Sequence, residues 1–145
     1  INSSNMCPTV VVKDGEAKFS IGASGANHIV PCTLELAAFL LDYDLTLEEA
    51  FNLPRIDVNE SRLITVDPDV GNETISKLSK CFEINIAQNL VFPKLYSCPS
   101  GVYRDTKSGN TFGFGDRNSP VAGARSESYY NLVDEGPLNI NKVRA

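Results

Sequence analysis

Val10-Val11-Val12-Lys13-Asp14-Gly15-Glu16-Ala17-Lys18-Phe19-Ser20-Ile21, running directly into Gly22-Ala23-Ser24-Gly25-Ala26-Asn27, is the stretch whose reading decides the fold. Two apolar runs flank Asp14-Gly15, a pair that accepts the positive φ angles of a tight turn, so the segment predicts a β-hairpin. The small residues from Gly22 to Asn27 let backbone approach closely, and Ile29, Leu34, Leu36, Ala37, Leu40 and Leu41 then recur at helical spacing. A strand therefore feeds a glycine-rich turn into a helix. Pro31 suits the first helical turn, where its missing N–H costs no hydrogen bond.

Working outward, a second helix opens at Thr46, whose hydroxyl forms a capping box with Glu49, and it stops before Pro54. Leu63 to Val66 reads as a short strand, and Asn72 as the cap of a helix through Ile75, Leu78 and Ser79. Cys81 to Val91 and Leu95 to Tyr103 are expected as paired strands. Phe112 to Gly115 is a further strand after the turn Lys107-Ser108-Gly109-Asn110. The resulting order, β-β-α-α-β-α-β-β-β, is α+β. From Arg125 onward Ser, Glu, Asn and Gly136-Pro137 dominate, so that tail is expected to lie over the surface or dock on a partner. There is no internal repeat.

Bulk properties exclude several classes. With 145 residues and 42% apolar composition, one compact unit with an ordinary core is the default. A net charge of −5 with no basic run gives no footprint for phosphate backbones, so no nucleic-acid partner is expected. The longest apolar run, Leu34 to Leu41, is interrupted by Glu35 and falls far short of the ~20 residues that cross a bilayer, so no transmembrane segment is expected in this chain. The residues from Ile1 onward do not read as a charged-then-apolar leader, and the expectation is that any signal sequence was removed or belongs to another part of a precursor. Asn59-Glu60-Ser61 and Asn72-Glu73-Thr74 are glycosylation sequons in polar surroundings, and Asn2-Ser3-Ser4 is a third. Cys7, Cys32, Cys81 and Cys98 make an even count that suits an oxidising compartment as well as buried free thiols. Sequons and cysteines together predict a secreted or extracellular protein.

Chemistry concentrates at Gly22 to Asn27. Successive N–H groups at a helix start, near the positive end of its dipole, stabilise an anion or a developing oxyanion, although such a turn also serves as a plain tight connection. It is neither a phosphate loop nor a dinucleotide turn, since the Lys-Ser/Thr ending and the spaced glycines are absent. Ser3, Ser4 and Asn5 offer hydroxyl and amide donors that suit a carboxylate, or else form a polar loop before a strand. His28 is the only histidine and has no serine or cysteine motif around it to make a nucleophile-base pair. The cysteines are widely spaced, and Asp67/Asp69 belongs to a helix start, so no metal and no cofactor is expected. Asp116-Arg117 reads as a surface ion pair, and Arg55 is ambiguous.

Taken in order, Ser4-Asn5-Met6-Cys7-Pro8-Thr9, Val12-Lys13-Asp14-Gly15, Gly22-Ala23-Ser24-Gly25-Ala26, Glu49-Ala50 with Pro54-Arg55, and Gly115-Asp116-Arg117 ending at Ala122-Gly123-Ala124 resemble the γ-glutamyltransferase (glutathione hydrolase) family. The resemblance is to the distal two-thirds of that family's small subunit. It implies an N-terminal nucleophile hydrolase of αββα layers, made as a precursor that cleaves itself into large and small subunits, with a threonine nucleophile whose own α-amino group is the base. No part of this chain matches the threonine segment, so the chain is expected to be completed by the large subunit and the start of the small subunit. Residues 1–124 are then the C-terminal part of the small subunit, and 125–145 an extension. By position, the resemblance places the oxyanion-hole N–H groups on Gly25 and Ala26. The paired serines that hold the donor's α-carboxylate fall on Ser4 and Asn5, or on Ser3 and Ser4 if one residue is inserted.

Ala26 stands where the family pattern has glycine, and its methyl is expected to crowd the pocket or resist the backbone angle. Cys81 and Cys98, on strands expected to be neighbours, are disulfide candidates closing a loop of about 17 residues, a bridge that stabilises by roughly 3 kcal/mol where its geometry allows. Two functions follow from the resemblance. One is a secreted heterodimeric enzyme that takes the γ-glutamyl group from glutathione or a similar donor to water or an amino-acid acceptor. The other is a catalytically degenerate secreted relative, such as a venom toxin component acting on cells or platelets, motivated by Ala26, Asn5 and the added tail.

Overall fold

The computed structural model describes residues 4–58, 63–105, 107–120 and 122–124; Ser3, Asn59 and the expected extension 125–145 lie outside the described residues. The opening hairpin forms as read. Strand β1 (Thr9–Lys13) pairs antiparallel with β2 (Glu16–Ser24), Lys13 opposite Glu16. Asp14 and Gly15 take φ of 56° and 80°, the two positive angles that a two-residue turn matched to the strand twist demands. Strand β2 runs further than its small residues suggested, through Gly22 to Ser24, so that only Gly25 to His28 separate it from helix α1 (Ile29–Leu41).

Helix α1 buries Ile29, Cys32, Thr33, Leu36 and Leu40, a stripe at the three-and-four spacing of one helical face. Cys32, Leu36 and Leu40 of that stripe share a core with Phe19 and Ile21 of the strand just left, and Leu47, Ala50 and Phe51 of helix α2 (Leu47–Asn52) close it. The capping box of α2 is complete: Glu49 N–H donates to Thr46 Oγ1 at 3.2 Å, and Thr46 N–H donates to Glu49 Oε2 at 2.9 Å.

After α2 the chain builds a second sheet that the sequence reading only half anticipated. Strand β3 (Ile56–Val58) was not expected; it pairs antiparallel with β4 (Leu63–Val66), and β4 pairs in parallel with β5 (Glu83–Ile86). Helix α3 (Asn72–Leu78) makes the crossover between the parallel strands, which no tight turn can do. Asn72 is its first helical residue rather than its cap, a place taken by Gly71 at φ 90°. Strand β6 (Cys98–Arg104) therefore does not pair with the 81–91 segment. It lies in the first sheet between β2 and β7 (Thr111–Gly115), in the order β1-β2-β6-β7. The expected bridge loses its basis, because Cys81 follows α3 and Cys98 opens a strand of the other sheet; both are free thiols in the structure.

One face of the four-stranded sheet carries α1 and α2. The other is open: Val10 and Val102 stand 62% and 46% exposed there, among Ser20, Gly22, Ser100 and Gly113. Along its β7 edge residues 122–124 pass so close that a Cβ on Gly113 would lie 2.7 Å from the Ala124 Cβ. Only glycine allows that approach. No helix among the described residues is long and apolar enough to cross a membrane.

Leu36 is fully buried at the centre of the α1 stripe. Leu36→Ala should lower unfolding free energy by about 2–5 kcal/mol, read from the denaturant midpoint at unchanged slope.

Candidate active site

The turn from Ser24 to His28 carries the chemistry the sequence pointed to. Gly25 adopts φ 144° and ψ 31°, a conformation open to glycine, and a Cβ there would meet Ser97 Cα and Oγ at 3.1 Å. Ala26 follows at φ 50°, in the left-handed region. Ala26 adopts the angle that its methyl was expected to resist, at a cost of about 1–2 kcal/mol. The turn's own hydrogen bonds use the N–H groups of His28, donating to Gly25 O at 3.0 Å, and of Ile29, donating to Ala26 O. Those of Gly25 and Ala26 are not spent in it, which is how a helix start offers donors to an anion.

Three tethers hold this turn. Ser97 Oγ donates to Ser24 O at 2.7 Å, Asn5 Nδ2 donates to Asn27 Oδ1 at 2.6 Å, and His28 Nδ1 lies 2.8 Å from Asp57 Oδ2. The second brings a candidate carboxylate-binding residue, Asn5, against the residue after Ala26, across 22 positions of sequence. Ser4 Oγ accepts from Met6 N–H at 3.3 Å and so shapes its own loop. Thus Gly25, Ala26 and Asn5 converge, with Ser4 adjacent, while Ser3 is outside the described residues. The sequons and thiols stand apart: Asn72 is exposed at the start of α3, Asn59 is not described, and Cys81 and Cys98 belong to other elements.

Beneath the turn is a polar layer that sequence reasoning did not find. Arg55, 4% exposed, donates from Nη1 to Cys32 Sγ at 2.9 Å, and Glu35 Oε1 accepts from Ile56 N–H at 3.0 Å. Glu35 Oε2 and Arg55 Nε have no hydrogen-bond partner among the described residues. Both residues line a cavity of about 10 Å³ together with Cys32, Asp57, Tyr96 and Ser97. Burial pushes the Glu35 carboxyl up to about 7; the Ile56 N–H and the Arg55 charge oppose the shift and Asp57 adds to it. Burial likewise raises the Cys32 thiol against the pull of Arg55. Asp116 is not in the expected surface pair with Arg117. It is buried and meets Lys94 Nζ at 2.5 Å, while Arg117 reaches Asn52 Oδ1 at 3.5 Å. Asn118 N–H also donates to Asp116 Oδ1 at 3.2 Å, and no sequence pattern around Gly115-Asp116-Arg117 marks the aspartate as buried.

The fold is α+β, and solved structures share it. A crystal structure of γ-glutamyltranspeptidase from Helicobacter pylori matches with a TM-score of 0.69 at 20% identity, over 81% of this chain and 62% of that one. The model of the gamma-glutamyltranspeptidase family matches residues 2–106, and the chain belongs to that family. The glutathione hydrolase proenzyme of Escherichia coli (strain K12) is 40% identical over 52 residues, which are 36% of this chain and 9% of that protein. The corresponding proenzyme of Bacillus subtilis (strain 168) is 28% identical over 76 residues, 52% of this chain and 13% of that protein. The chain thus matches only about a tenth of the length of these curated relatives.

Two outcomes follow from this geometry. Ala26→Gly removes the left-handed penalty and should raise stability by about 1 kcal/mol in denaturant unfolding, whereas Gly25→Ala should lower it by more. For Glu35 the folded pKa, about 7, lies above the ordinary carboxyl value of 4.5, so its contribution is fully present below pH 4.5 and is lost as pH rises through 7. Glu35→Gln should remove that loss: a stability profile between pH 4 and 8 should be flatter for the variant and higher above pH 7.

Proposed function

We propose that this chain is the C-terminal part of the small subunit of a secreted γ-glutamyltransferase or glutathione hydrolase, which cleaves γ-glutamyl amide bonds through a threonine nucleophile lying outside it. The observation that carries the reading is the convergence of Asn5 with the Gly25-Ala26 turn, because the reaction needs a carboxylate grip and oxyanion donors side by side. In this mechanism the threonine attacks the γ-carbonyl, the Gly25 and Ala26 N–H groups receive the negative oxygen, and Asn5 with Ser4 or Ser3 orients the donor's α-carboxylate. The amine leaves with a proton from the nucleophile's own base, and water or an amino-acid acceptor then takes the γ-glutamyl group.

The partner is the remainder of the same precursor. The open face bearing Val10, Ser20, Gly22, Ser100 and Val102 has the small, flat relief that a second sheet packs against at about 10 Å, as an αββα sandwich requires. The relatives carrying the name proenzyme support processing from one chain. Secretion and glycosylation rest on the sequons, of which Asn72 stands exposed.

The degenerate-effector reading is weaker on one count: Ala26 keeps the left-handed angle, so the turn survives the substitution that motivated it. Assembled protein, with all its chains, should release chromophore from a γ-glutamyl anilide, and faster with a dipeptide acceptor. No turnover from correctly assembled protein would instead favour the secreted effector.

A further inference from the structure

His28 is the only histidine of the chain and directly follows the Gly25–Asn27 turn. Its Nδ1 lies 2.8 Å from Asp57 Oδ2, with the histidine side chain 29% exposed and the aspartate 5%. Asp57 is itself firmly placed. It sits on β3 opposite Thr65, between Ile56, whose N–H donates to Glu35, and Val58, which pairs with Ile64. Arg55 O, at the entrance to β3, accepts from Asp67 N–H at 2.9 Å. The turn therefore has an anchor in the second sheet as well as in the first.

That anchor matters because the turn is strained. Left-handed Ala26 and Gly25 at φ 144° persist only where the surroundings over-determine them. Among these tethers the Asn5 bond is between exposed side chains, and the Ser97 bond holds the strand side at Ser24. His28–Asp57 holds the residue next to helix α1 from a buried position, and a buried carboxylate on Nδ1 fixes ring orientation as well as position.

We propose that His28, held through Nδ1 by the buried Asp57 carboxylate, is a positioning residue that keeps the Gly25 and Ala26 N–H groups aimed at the reaction centre. This rests on the function proposed above. It predicts that the pair acts on transition-state stabilisation and not on substrate binding, since oxyanion contacts strengthen only in the transition state.

The test uses the full precursor, processed and assembled, in His28→Ala, Asp57→Ala and His28→Asn forms. An asparagine amide can donate to Asp57 much as Nδ1–H does, so His28→Asn is the rescue variant. Two readouts are taken: kcat and KM on a γ-glutamyl anilide, and backbone hydrogen exchange of the peptide spanning residues 24–29. Both alanine variants should lower kcat by about 10–100-fold with KM within about twofold, a loss no larger than that of one oxyanion donor. Exchange in the turn peptide should rise in both. His28→Asn should restore kcat to within about threefold and exchange to the wild-type rate. Unchanged kcat and exchange in His28→Ala would overturn the proposal. A raised KM at constant kcat, or His28→Asn behaving like His28→Ala, would overturn it as well, by making the imidazole a substrate contact or a proton carrier. Exchange separates this failure from that of the enzyme reading. Wild-type protein without turnover refutes the latter, while a turn that loosens in His28→Ala still shows the anchor.

Discussion

The reversal between β2 and α1 is the constraint from which the rest of the structure follows. The face of α1 built from Cys32, Leu36 and Leu40 packs on Phe19 and Ile21, which belong to the strand immediately before it. A helix that must fold back on its own preceding strand needs a connection of very few residues. Here that connection is Gly25 to His28, achieved with φ of 144° at Gly25 and 50° at Ala26. The same reversal presents N–H groups that the helix cannot use. Packing and candidate chemistry thus share one piece of backbone: a shape needed to bury the core also creates the anion-receptive end.

Helix α1 further acts as a strut between the two sheets. Its apolar stripe faces the first sheet, while Glu35 reaches the second by accepting from Ile56 N–H. Burying Glu35 and Arg55 between them is unfavourable in isolation, since an unpaired buried charge costs several kcal/mol. The structure lessens that cost in two ways: Glu35 with its carboxyl near 7 is partly neutral around that pH, and Arg55 has Cys32 as a soft acceptor and Glu35 and Asp57 nearby. What such a layer supplies is direction. An apolar contact slides, whereas hydrogen bonds to Ile56 and Cys32 set the height of β3 relative to α1, and with it the place of Asp57 beneath His28.

Local signals were legible where the physics is local. Asp14-Gly15 between apolar runs, the Thr46/Glu49 box and the spacing of Leu36 and Leu40 each determine an element without reference to the rest of the chain. The misplaced pairing of 81–91 with 95–103 came from treating sequence neighbours as space neighbours. The alternation Leu63–Val66, helix, Glu83–Ile86 is a parallel unit, and that pattern was present to be read. Strand β3 was missed because three residues carry no periodicity and its neighbours are what make it a strand. For the site, Gly25, Ala26 and Asn5 were legible through resemblance. Ser97, Asp57 and Glu35 were not, because their roles depend on contacts 73, 29 and 21 positions away.

These contacts make the two halves of the candidate site unequal. The candidate oxyanion half, the Gly25-Ala26 turn, is held from both sheets by Ser97, Asp57 and the Gly25 approach to Ser97. The candidate carboxylate half, Ser4 and Asn5, is exposed, and among the described residues it is held by the bond from Asn5 to Asn27 and a local bond from Met6. On the proposed reading, the first half is preorganised before the rest of the precursor arrives, and the second takes its final geometry from the partner or the donor. Preorganisation is placed where it contributes most, since fixed dipoles must already point at the developing charge when it forms, whereas a binding loop can close on substrate at the expense of some affinity. The left-handed alanine fits the same logic: a penalty of about 1–2 kcal/mol is tolerable at a position held by three tethers and would not be at a loop held by one.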